Sequence, residues 1–155
     1  MKFSAQEEYG LRCLLAIGRV GEGGSLTVNE ISSAEGLTVP NVAKLVNILR
    51  REGFVKSTRG QSGGYALAHD AVEIRLSEVL AALGGKLYDE EFCERHSGAS
   101  GSCVHDSSCA VRTVWNKVQI AVDDVLEDMR LADLLPKYSG PKDRDTLSGV
   151  ALINE

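Results

Sequence analysis

The stretch LRREGFVKSTRGQSGGYAL, Leu49 to Leu67, decides the fold. Phe54-Val55-Lys56-Ser57 and Tyr65-Ala66-Leu67-Ala68 are short runs of strand-forming residues. Between them Thr58 to Gly64 supplies the glycine and polar residues of a turn. A β-hairpin, or wing, is expected there. From Thr38 to Tyr65 the cations are Lys44, Arg50, Arg51, Lys56 and Arg59, and Glu52 is the only acid, so a basic face precedes and includes the hairpin.

Toward the N-terminus, two helical segments lead into this stretch. Thr27 and Glu30 have capping-box spacing at the start of Val28 to Ala34, and Gly36 can supply a tight turn. Thr38 is the next cap. Pro40 then lies in the first helical turn, where a missing N–H costs nothing, and Val42, Leu45, Val46 and Leu49 form one apolar face. Before them, Ser4 and Glu7 open a first helix with Leu11, Leu14, Leu15 and Ile17 on its buried side. Helix, glycine turn, helix and wing together make a mainly α, winged helix-turn-helix.

Toward the C-terminus, Val72-Glu73-Ile74 leads into a helix over Leu76 to Leu83 that stops at Gly84-Gly85. Lys86 to Ser108 has few core residues and is expected to be an irregular loop. From Cys109, the apolar residues Val111, Trp115, Val118, Val122, Val125, Leu126 and Met129 recur at spacings of three and four, which describes one long amphipathic helix to about Arg130. Its apolar face exceeds what a small domain needs. The expected organisation is a winged domain over 1–85, a cysteine-bearing loop over 86–110, a long C-terminal dimerisation helix over 111–135, and a polar tail over 136–155.

Composition bounds the function. With 155 residues, 43% hydrophobic, the chain can bury one ordinary core. No apolar run approaches the roughly 20 residues of a membrane span, and Met1-Lys2-Phe3-Ser4 lacks the apolar stretch of a secretory signal, so a cytoplasmic protein is expected. The net charge of −5 does not describe the local basic face. No nucleophile has a nearby base, and there is no Walker-type loop or dinucleotide fingerprint. The glycines at 60, 63 and 64 follow a strand but open no helix. An enzyme is not expected.

The second helix of a helix-turn-helix fits the major groove, and a helix N-terminus can point free N–H groups at a phosphate. Thr38, Asn41 and Lys44 lie at or near that N-terminus and are candidates to reach double-stranded DNA. Arg50 and Arg51 follow at its far end, and Arg59 at the wing tip can enter a minor groove. The bland alternative is a solvated basic helix beside a hairpin that merely turns.

Four cysteines in a chain expected in a reducing compartment point to metal binding or redox sensing rather than cross-linking. Cys93, Cys103 and Cys109 are clustered in a Gly- and Ser-rich segment, whereas Cys13 stands apart on an apolar helix face and reads as core. Three thiolates on a loop can converge on an iron–sulfur cluster or on zinc. Two of them can also form a disulfide on oxidation, giving a cluster-free thiol switch. A zinc-stabilised adaptor, with the winged helix binding protein, is the reading from another class.

Leu26 to Gly85, and above all the residues quoted at the outset, resembles the winged-helix domain of the Rrf2 family of transcriptional regulators. Met1-Lys2-Phe3-Ser4, Val111-Arg112-Thr113-Val114-Trp115 and Leu131-Ala132-Asp133-Leu134-Leu135 extend the resemblance over nearly the whole chain. It implies a homodimer paired through the long helix, and an iron–sulfur cluster sensing redox state, nitric oxide or cluster status. Cys93, Cys103 and Cys109 would be ligands, with a fourth, His or carboxylate, sometimes supplied by the first helix of the second subunit. Glu8 matches the position of an acidic ligand; otherwise it pairs with Arg12 one turn on, a contact worth about 0.3–0.5 kcal/mol. The family's histidine three residues after the last cysteine is replaced by Arg112, leaving His96 and His105 as reserves. Three thiolates and one oxygen resemble a 4Fe–4S arrangement, with 2Fe–2S the alternative. Val39-Pro40-Asn41-Val42 replaces the family's aromatic and leucine near the start of the recognition helix, so operator preference does not carry over.

Overall fold

The computed structural model describes residues 3–60, 63–89, 91–98, 101, 103, 105 and 108–136. All but one residue of the expected tail, 137–155, lie outside the described residues. The first helix, α1, spans Ala5–Arg19, followed by α2, Val28–Glu35, and α3, Val39–Arg51. Strands β1, Val55–Thr58, and β2, Gly64–Leu67, pair antiparallel with Val55 opposite Leu67 and Thr58 opposite Gly64. Helices α4, Leu76–Gly84, α5, Phe92–Arg95, and α6, Ala110–Leu126, complete the chain with a 3-10 turn at Leu131–Leu134.

Local chemistry accounts for the helix starts. Ser4 and Thr27 both close reciprocal capping boxes, with Glu7 and Glu30 respectively. Gly36 ends α2 at φ 65°, a left-handed conformation that a side chain disfavours. The strands are each displaced by one residue from the expected positions. Their register is fixed from a distance: Leu26 N–H donates to Tyr65 O at 3.0 Å and Tyr65 N–H returns to Leu26 O at 2.8 Å. A Cβ on Gly64 would sit 3.0 Å from Leu26 O, so this third strand-like residue can approach only because Gly64 has none.

One core unites α1, α3 and α4. Leu14, Ile17, Ile31, Val42, Leu45, Val46, Leu49, Val79 and Leu83 are all essentially inaccessible. Each such side chain contributes about 1.5–3 kcal/mol relative to exposure. Across α1 and α2, Glu35 binds Arg12 at 3.0 Å and Arg19 at 3.2 Å. Arg12 is thus engaged by α2, not by Glu8.

The C-terminal part departs from expectation. The expected dimerisation helix over 111–135 ends at Leu126. Leu126 and Met129 pack on the protomer's own core, and the chain then turns back: Leu76 N–H donates to Met129 O at 3.1 Å, Leu131 N–H to Ile74 O at 2.9 Å, and Ala132 N–H to Ala71 O at 3.1 Å. Leu131 and Ala132 are buried. These residues share the helical period with the exposed apolar stripe, so periodicity alone could not separate the two roles. The loop over 86–108 is also less irregular than expected, because α5 lies within it.

Cys13 is fully buried, and burial first, then the Glu35 charge, pushes its thiol from 9.0 up to about 11, against a smaller opposing effect of Arg12. At pH 8 only about one Cys13 in a thousand would be thiolate. Alkylation of the folded, iron-free protein at pH 8, mapped by mass spectrometry, should therefore leave Cys13 unmodified while half-buried Cys93, Cys103 and Cys109 react. Modification of Cys13 at a comparable rate would contradict its place in the core. Leu131→Ala should cost roughly 2–5 kcal/mol in denaturant unfolding, whereas Leu134→Ala, at a partly exposed position of the same turn, should cost far less.

Candidate nucleic-acid interface and cysteine segment

The core residues of α3 leave Pro40, Ala43, Lys44, Asn47 and Arg51 on its outward face, all exposed. Thr38 is the N-cap residue, yet it makes no side-chain capping bond, unlike Ser4 and Thr27. Its hydroxyl and the first N–H groups of α3 therefore face outward together. Asn41 is half-buried at the edge of this face. Arg50 is exposed and donates to Asn47 Oδ1 at 3.0 Å. Arg59 is exposed at the end of β1. Ion pairs among the described residues engage Arg12, Arg19 and Arg95, and none takes Lys44, Arg50, Arg51, Lys56 or Arg59. Five exposed cations on α3 and the wing thus have no carboxylate partners among the described residues. Asn47 was not an expected site residue, although its spacing of three from Lys44 places it on the same face.

In the cysteine segment, Cys109 is the N-cap residue of α6, where its sulfur accepts the Arg112 N–H at 3.3 Å. Backbone donation at a helix N-terminus suits a sulfur that carries negative charge. Tyr88 lies against Cys93. Its hydroxyl is 3.9 Å from Cys93 Sγ, and its phenol is held above the usual range by partial desolvation first, then by Cys93, with a smaller effect from Cys109. Tyr88 meets Phe92 in a tilted contact with centroids 5.3 Å apart, Phe92 stacks on His96 at 4.2 Å, and Arg95 grips Asp89 at 2.9 Å. His96 Nδ1 is 2.8 Å from Phe92 O. A cleft of about 800 Å³ runs beside Cys93, lined by Tyr88, Arg112, Gln119 and Asp123 among others.

The four residues expected to hold a metal are not brought together within one protomer: no three His, Cys, Asp or Glu side chains among the described residues are grouped closely enough. Cys93 lies against the Tyr88 hydroxyl, Cys109 caps α6, Cys103 is half-buried in the intervening segment, and Glu8 is exposed on the first turn of α1. The donor chemistry fits a thiolate-ligated iron–sulfur group.

Along α6 only Gln119 is buried. Val111, Val114, Trp115 and Val125 expose 58%, 54%, 40% and 69% of their surface, a stripe too apolar for a solvated helix. Among the described residues, no helix is long and apolar enough to cross a membrane.

Comparison with known proteins agrees with this architecture. Residues 3–137 match the family model described as Rrf2, iron-dependent transcriptional regulator. Protein rrf2 of Nitratidesulfovibrio vulgaris is 33% identical over 87% of each chain. The HTH-type transcriptional regulator IscR of Vibrio campbellii is 27% identical over 87% of this chain and 77% of its own. Among solved structures, CymR, the global cysteine regulator of B. subtilis, superposes with TM-score 0.69 at 28% identity, covering 86% of this chain and 95% of that one. T. potens IscR does so with TM-score 0.67 at 27% identity, covering 86% and 85%. These relatives are regulators rather than enzymes, and their fold is the winged helix described above. The chain belongs to the Rrf2 family of DNA-binding transcriptional regulators.

Proposed function

We propose that the protein is a homodimeric regulator that grips double-stranded DNA through α3 and the wing and senses redox state, nitric oxide or iron–sulfur status at a cluster held by Cys93, Cys103, Cys109 and Glu8. The observation that carries this reading is that Cys109 is both a candidate ligand and the N-cap of α6, so ligand chemistry acts at the first turn of the exposed helix. The family description as iron-dependent supports it. When bound, an iron–sulfur cluster supplies one-electron chemistry and reactivity toward oxidants and nitric oxide, and a 4Fe–4S form suits three thiolates and one carboxylate, with 2Fe–2S the alternative.

The chain's own residues do the rest. Thr38, Asn41 and Lys44 present polar and cationic groups at the start of α3, and Arg50, Arg51 and Arg59 contact flanking phosphates and the minor groove. The apolar stripe of α6 pairs with that of a second copy, setting two reading heads on successive half-sites. Exposed Glu8 reaches the cysteine segment of the partner subunit, which accounts for its separation from the cysteines of its own chain. A change in the order of residues 93–109 shifts α6 and thereby the spacing of the heads.

A thiol switch is the second reading. Cys93 and Cys109 both act on Tyr88, and Staphylococcus aureus CymR, 26% identical with TM-score 0.67, has been solved in an oxidised form. Anaerobic purification with iron and sulfide analysis separates the two. The cluster reading expects a brown protein with about four iron and four sulfide per protomer, lost in the Cys93, Cys103 and Cys109 triple-serine variant. Iron-free, colourless protein with reversible thiol loss after reconstitution would establish the switch instead.

Trp115→Glu should convert the dimer to monomer in sedimentation and abolish tight DNA binding; an unchanged dimer would refute the role of the stripe. Lys44→Ala should weaken binding to all duplexes alike and lower the slope of log K against log salt by about one. A loss confined to one sequence would instead place Lys44 on a base.

A further inference from the structure

We propose that Gln119 is the positioning residue through which the cysteine segment acts on α6. This rests on the reading of that segment as the sensor, and specifies how its state leaves the segment. Gln119 is the buried polar side chain on a helix whose other described side chains are exposed or half-exposed. Its Oε1 accepts the backbone N–H of Tyr88 at 3.0 Å, and its Nε2 donates to Asp123 Oδ1 at 2.8 Å. The two partners fix the amide's orientation, since an N–H must meet the oxygen and a carboxylate the nitrogen.

Tyr88 is the other half of the link. Its hydroxyl lies against Cys93 Sγ, while its backbone is tied to the middle of α6. One residue therefore touches a candidate ligand at one end and the helix at the other. A buried amide that loses a partner is left unsatisfied, so displacement of Tyr88 is opposed unless Gln119 moves with it. α6 is further held to its own protomer by its packing on α4, by Leu126 on the core, and just beyond its far end, where 129–132 bonds to 71–76. Pulling on Gln119 with that end fixed tilts the helix.

The test is hydrogen exchange on the full-length protein under argon, loaded and then stripped of iron with a chelator. In the parent, amides of both the cysteine segment and α6 should change protection between states. In Gln119→Leu, the segment should still respond, while the response of α6 should fall by about five- to tenfold, the effect of one lost hydrogen bond. The exchanged pair Q119E/D123N keeps an acceptor for Tyr88 and a donor–acceptor bond at 123, and should restore the response. An α6 response in Gln119→Leu equal to that of the parent would overturn the proposal.

Should Gln119→Leu fail to fold by circular dichroism, the Tyr88 amide of the parent decides. At least tenfold different protection in the two states is expected, and equal protection overturns the link. A parent that loads iron yet shows no change in α6 also overturns the link alone. A parent that takes up no iron, and whose segment is indifferent to oxidant, overturns the sensor reading and the link with it.

Discussion

The three backbone hydrogen bonds that join 129–132 to 71–76 are the constraint on which the rest of the structure depends. Apart from them, α6 meets the winged domain through its packing on α4 and through Leu126 on the core. With them, its C-terminal end is fixed to the same core that positions α3, through buried Leu131 and Ala132. A helix of 17 residues spans about 25 Å, so Cys109 lies at the end of α6 farthest from that anchor.

Within α6 only Gln119 is buried, and the exposed valines and Trp115 contribute little to the protomer's own core. That division explains why charge and apolarity are segregated so sharply in a small acidic protein. Unpartnered cations gather on α3 and the wing, apolar surface on α6, and the sulfur-bearing segment lies between α4 and α6.

Much of this was legible in the sequence wherever the determining chemistry is local. The Ser4–Glu7 and Thr27–Glu30 boxes, the left-handed turn at Gly36 and the apolar face of α3 each depend on residues within one or two turns. What escaped was non-local. The strand register is set by Leu26, almost forty residues before Tyr65. The end of α6 was misplaced because Leu126 and Met129 keep the helical period while turning to a different partner. Arg12 finds Glu35 across the helix pair instead of Glu8 one turn away. Gln119 was invisible as a site residue, since nothing in a polar residue at one helical position announces burial. The cysteines were legible as a set, but not their arrangement, since no three possible ligands are grouped among the described residues.

The central claim is that the state of the cysteine segment sets the separation of the two DNA-reading heads. Pulsed electron resonance between genetically encoded spin labels replacing exposed Lys56 in the two protomers measures that separation directly, without DNA. Distance distributions that differ between the iron-loaded and stripped dimer, and coincide in the triple-serine variant, are the predicted result. Superimposable distributions for loaded and stripped parent protein would contradict the account.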